Sequence, residues 1–152
     1  MCYKYIMPKN DEQVEVVKSR QAQSEESKRA TFDMLKSKPR AEREVTFVMN
    51  PDTDDEREFT MLFRAIGATD YDKLITKNPP NTEQKAEGAS YNINTFGPSL
   101  LSKTVIEPDM DFKQWSEIWN SDEWNRGEIL QIFLTATDLC NRGLEVPPTQ
   151  TD

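Results

Sequence analysis

The chain of 152 residues has no histidine. That single absence removes Ser-His-Asp and Cys-His nucleophilic machinery, two-histidine metal sites and the most common general base. Glycine is scarce, with 5 residues spread along the chain, so neither a G-x-G-x-x-G turn nor a Walker loop can be written. The 2 cysteines, Cys2 and Cys140, sit at opposite ends, too few for a disulfide scaffold and without metal-ligand neighbours. No apolar run approaches the roughly 20 residues of a membrane span, and the N-terminus lacks the apolar stretch of a signal peptide. These absences predict a cytoplasmic protein with free thiols. No cofactor and no catalytic residue is expected, and binding to another protein becomes the leading class of function.

Apolar residues are also few. They make up 36%, and even with glycine added fall short of the roughly 45–50% of an average domain. The length suits one domain, so part of it is expected to lie outside the core. The net charge of −8 is unevenly placed. Residues 1–43 carry 10 Lys and Arg against 7 Asp and Glu, whereas residues 44–152 carry 9 against 20. An acidic body repels phosphate backbones and anionic lipid, so neither nucleic acid nor membrane is expected as a partner.

The predicted fold is mainly α with one β-hairpin, an α+β domain with an extended N-terminal helix and a disordered C-terminal tail. Its divisions are a polar arm over 1–43, a globular domain over 44–143 and a flexible tail over 144–152. Residues 11–37 contain neither Gly nor Pro and read as helix up to Pro39, although Lys18 to Arg29 offers only Ala22 as an apolar residue. The hairpin spans 44–66: Glu44–Met49 and Phe59–Phe63 are rich in β-branched and aromatic residues, and Asn50–Asp55 is turn chemistry.

Helices then fill 69–143. Thr69 is the expected cap of a helix through Tyr71, Leu74 and Ile75, which stops before Pro79-Pro80. Asn81 to Gln84 has capping-box character and opens a short turn closed by Gly88. Phe96 to Val105 reads as a helix with Pro98 in its first turn. Asp111 and Gln114 form another box, before a helix with Phe112, Trp115, Ile118 and Trp119 on one stripe. The last helix, with Ser121 as its expected cap, carries Ile129, Ile132, Phe133, Ala136, Leu139 and Cys140 at helical spacing. Leu130 and Leu134 are expected to widen that stripe, and Gly143 to stop the helix.

Two acidic clusters invite a metal reading. Asp52, Asp54, Asp55 and Glu56 lack a calcium loop's glycine and its spaced final glutamate, and read instead as a solvated turn. Asp109 and Asp111 form a D-x-D too short to be specific, and helix capping accounts for Asp111. No metal ligand is expected. The tryptophans Trp115, Trp119 and Trp124, with Phe133, fit a packed core, or alternatively an exposed protein-binding anchor, because tryptophan is enriched at binding hot spots.

A series of short motifs runs from residue 59 to 143. It comprises a strand ending in Phe63-Arg64-Ala65-Ile66-Gly67 and a tyrosine-bearing helix leading to Pro79-Pro80. Thr82 to Gly88, Asn94-Thr95-Phe96-Gly97-Pro98 and Glu107-Pro108-Asp109-Met110 follow. The tryptophan-bearing helices, with Gly127-Glu128 leading to Phe133-Leu134, close the series. In order and spacing the series resembles the tail assembly chaperones of long-tailed bacteriophages, particularly phages of actinobacteria. Two departures stand out: Asn78 precedes the proline pair where relatives have histidine, and the N-terminal part matches only in character.

The resemblance implies a non-catalytic assembly factor in the host cytoplasm, absent from the mature virion. Its partners would be the tape measure protein, whose aggregation-prone length it coats, and the major tail tube protein. A homo-oligomer and a longer product of ribosomal frameshifting are both compatible with it. The alternative is a small structural virion protein, of tail or head-completion type, and a module sequestering a host protein is a more distant rival. On the chaperone reading the client-contact residues are Trp115, Trp119, Trp124 and Phe133.

Overall fold

The computed structural model describes residues 29–148. The chain divides between Pro39 and Arg40. Before the division, among the described residues, lies one short helix, α1 (Phe32–Lys36). Thr31 is extended, with φ −124° and ψ 161°, and its Oγ1 accepts a hydrogen bond from the Met34 N–H at 3.2 Å. The expected uninterrupted helix over 11–37 is therefore corrected: among the described residues only Phe32–Lys36 is helical, and residues 11–28 lie outside the described residues. Thr31, by capping at this point, starts a short helix instead of continuing a longer one through residues 29–31.

Beyond the division the chain forms an α+β domain. Strands β1 (Glu42–Met49) and β2 (Arg57–Arg64) pair antiparallel, with Phe47 opposite Phe59. Their alternation is regular: Val45, Phe47, Phe59, Met61 and Phe63 face the core, while Glu44, Thr46, Glu58 and Thr60 face outward. A third strand, β3 (Val105–Glu107), pairs with β2 to give the order β1-β2-β3. Sequence reasoning missed β3 because Val105 was expected to end a helix. The β-branched pair Val105-Ile106 ahead of Pro108 was the available signal.

The hairpin turn holds the first acidic cluster. Asn50 and Asp52 adopt φ of +50° and +65°, a region Asn and Asp tolerate better than most residues. Glu56 accepts from the Asp52 N–H at 2.8 Å and the Thr53 hydroxyl donates to the Asn50 carbonyl at 2.7 Å. These carboxylates are turn chemistry on the surface.

Five helices follow: α2 (Ala68–Lys77), α3 (Thr82–Ala86), α4 (Ile93–Thr104), α5 (Phe112–Trp119) and α6 (Arg126–Asn141). Three carry a complete capping box, at Asn81/Gln84, Asp111/Gln114 and Asn125/Glu128, each satisfying two otherwise unpaired backbone donors. Three expected boundaries move. Gly67, not Thr69, caps α2, and the Tyr71 N–H bonds the Gly67 carbonyl at 2.9 Å. Asn125, not Ser121, caps α6, because the Ser121 hydroxyl is engaged locally with Glu123. Helix α4 starts at Ile93 behind Asn92, so Pro98 falls in its second turn rather than its first.

The core joins the inner sheet face to α4, α5 and α6. Its fully buried members include Phe63, Phe96, Leu100, Leu101, Ile129 and Phe133. On α6 the stripe is narrower than expected: Ile129, Ile132, Phe133, Ala136 and Leu139 are buried and Leu130 is half-buried, but Leu134 faces solvent. The helix ends at Asn141, and residues 142–147 are irregular and exposed. The rest of the expected disordered tail, 149–152, lies outside the described residues.

Candidate functional site

Aromatic packing decides what the four candidate contact residues can offer a partner. Trp119 is 2% exposed, edge-on to Phe133 with ring centroids 5.8 Å apart. Its Nε1 donates to Asn94 Oδ1 at 3.3 Å, and the Arg126 guanidinium lies 5.9 Å from the ring centre. Phe133 is buried among Phe96, Tyr91 and Trp119, at 5.9, 6.5 and 5.8 Å between ring centres. Trp115 is likewise buried, and among the described residues its Nε1 has no hydrogen-bond partner. These three side chains are core in this conformation and present no surface to a client.

Trp124 differs. It is half-buried and meets Phe59 edge-on at 6.0 Å. Beside it, Phe47, Val48, Met49, Glu128 and Ile132 line a recess of about 30 Å³, room for little more than a water molecule. Trp124 therefore closes the hairpin side of the core and leaves one flank outside.

The larger concavity was not anticipated from the sequence. A groove of about 630 Å³ is lined by Leu74 of α2, by Ser99, Ser102 and Lys103 of α4, and by the segment from Asp109 to Phe112 together with Gln114. Local structure explains its chemistry. The Ser99 and Ser102 hydroxyls turn back to the Thr95 and Ser99 carbonyls, at 2.9 and 2.7 Å. Asp111 Oδ1 is spent on the Gln114 N–H at 2.9 Å, as expected of a cap. Lys103 and Asp109 are exposed and, among the described residues, take part in no ion pair. Phe112, the first residue of α5, is 48% exposed while Met110 and Leu74 are half-buried. The groove thus combines an open aromatic ring and aliphatic lining with Lys103 and two carboxylates, Asp109 and the capping Asp111. Such a mixture suits an amphipathic peptide.

No protein-family model, curated protein or solved structure matches the chain.

Burial pushes the Cys140 thiol up from its ordinary value, opposed only in part by a backbone hydrogen bond from Ile66. Tyr91 is raised by burial and secondarily by Tyr71. Both shifts favour the neutral form, which makes Cys140 a poor nucleophile at neutral pH. Among the described residues no group of three or more Cys, Asp and Glu is placed to hold a metal ion, and no helix is long and apolar enough to cross a membrane.

Proposed function

We propose that the chain is a non-catalytic tail assembly chaperone that binds the tape measure protein and helps bring tail tube subunits to it. On this reading it acts in the host cytoplasm and is left out of the finished virion. The order of motifs between residues 59 and 143 suggests the family. The observation that carries the binding role is Phe112, an aromatic ring half-exposed at an open groove rather than folded into the core.

The client contact is assigned to that groove. An apolar stripe of a client helix would meet Phe112, Met110 and Leu74, and polar residues flanking the stripe would meet Lys103 and Asp109. This replaces Trp115, Trp119 and Phe133 as contact residues, because a buried side chain cannot reach a client without unfolding its own domain. The acidity of residues 44–152 keeps the protein soluble while it covers apolar client surface.

The test is binding of purified chain to tape measure segments, with Phe112→Ala beside the wild type. The variant is expected to fold and melt as the wild type does while losing about tenfold or more in affinity, the range of an interface anchor. Unchanged affinity in a folded Phe112→Ala protein would remove the groove from the account. Detection of the chain in purified particles by mass spectrometry would favour a structural virion protein instead.

A further inference from the structure

The open edge of the sheet carries an inference independent of the groove. Strand β1 is eight residues long and lies at the edge of the order β1-β2-β3. It has no proline and no register shift against β2. Its one inward-facing charge, Arg43, is tied to Asp138 at 3.1 Å. Over Val45 to Met49, therefore, none of the usual devices that blunt a sheet edge, proline, bulge or charge, is in place.

The ladder fixes which backbone groups face outward. The Ala65 N–H bonds the Ala41 carbonyl at 2.9 Å, and this pair continues the register in which Glu42 faces Arg64. Hydrogen-bonded and non-hydrogen-bonded pairs alternate in an antiparallel ladder. Arg43, Val45, Phe47 and Met49 thus bond β2, while Glu42, Glu44, Thr46 and Val48 point their N–H and C=O groups at the open edge. Among the described residues nothing pairs with those groups.

Charge identifies the strand that fits. Glu42, Arg43 and Glu44 occupy one half of β1, and Val45 to Met49 are uncharged. A second β1 running antiparallel lays the charged half of each strand on the uncharged half of the other. Side chains must stay on their own face of a continuous sheet, so the two-fold axis passes through a residue and its own copy. An axis at Arg43 or Glu44 opposes like charges. An axis at Thr46 engages only three outward-facing residues of each strand. An axis at Val45 engages all four, placing Glu42 opposite Val48 and Glu44 opposite Thr46. We infer that two copies of this chain associate through β1, antiparallel about Val45, into one continuous six-stranded sheet.

The test is sedimentation of the full chain over rising concentration, combined with amide exchange at β1. The expected result is a species of twice 17.6 kDa, with the Glu44 and Thr46 amides becoming protected as it forms. Thr46→Pro deletes an outward N–H and leaves the β2 ladder its donors, so it should yield a monomer with the Val45 and Phe47 amides still protected. If that variant fails to fold, Thr46→Glu opposes Glu44 twice across the axis and should weaken association about tenfold at low salt. A monomer with freely exchanging Glu44 and Thr46 amides overturns the inference. So does a monomer in which those amides are protected, since the edge is then covered from within the chain. A dimer that persists unchanged in a folded Thr46 variant places the interface elsewhere and overturns it as well.

Discussion

Gly97 shows how much a single position fixes. A Cβ there would meet the Trp119 ring at 2.3 to 2.7 Å, closer than any real contact. In an open helix Gly→Ala would gain about 1 kcal/mol. Here overpacking outweighs that gain, and Gly97→Ala is expected to destabilise the domain by about 1–3 kcal/mol in urea unfolding. Combining it with Trp119→Leu should cost less than the two changes summed, because the smaller side chain vacates the space the methyl needs. The other tryptophan on α5 offers a contrast. Among the described residues the buried Trp115 N–H finds no partner, whereas that of Trp119 bonds Asn94. Trp115→Phe should therefore cost distinctly less than Trp119→Phe, since removing an unsatisfied donor recovers part of its desolvation penalty. At Cys140 and Tyr91 the protonated form is favoured by the fold. Their stabilising contribution is full below the unfolded-chain values, which start at 9.0 for the thiol, and is lost as pH rises through the raised values. Stability measured by urea midpoints should accordingly fall on the alkaline side, and less steeply in Cys140→Ala.

At the scale of elements, capping chemistry is where sequence and structure agree most closely. Asp111 with Gln114 and Asn81 with Gln84 are legible because a box needs only two residue types three apart. Asn125 with Glu128 has the same spacing, yet Ser121, an equally good capping type, drew the assignment four residues early. What decides between them is the Ser121 hydroxyl bonding Glu123, a loop contact that no periodicity announces. Asn125→Ala should destabilise the domain by about 1 kcal/mol, and Ser121→Ala by distinctly less, in the same unfolding assay. The hairpin was legible from its β-branched and aromatic residues, with each strand extending about two residues beyond the predicted limit. Strand β3 was not, since three residues pair only because β2 offers them an edge. The N-terminal helix was overpredicted for the opposite reason: nothing in the composition of 30–37 forbids a helix, yet among the described residues it is limited to Phe32–Lys36 behind an extended Thr31.

At the scale of the whole molecule, the tryptophans and the groove exchanged parts. Helical spacing put Trp115, Trp119 and Phe133 on inward stripes, which is where they lie, and hot-spot statistics alone would have put them outside. The groove was illegible because its lining comes from α2, α4 and the loop before α5, and only the fold brings them together. Phe112 belongs to the same sequence stripe as Trp115 and Trp119, yet stands at the helix N-terminus beyond the reach of the core. A single exposed aromatic at an open groove separates the binding account from a merely globular one. The most direct measurement is co-expression of the chain with the tape measure protein, scored by soluble tape measure and by co-purification. The account predicts soluble, co-purifying tape measure with the wild type and loss of both with Phe112→Ala. A tape measure protein that stays insoluble and unbound beside well-folded wild-type chain would contradict it.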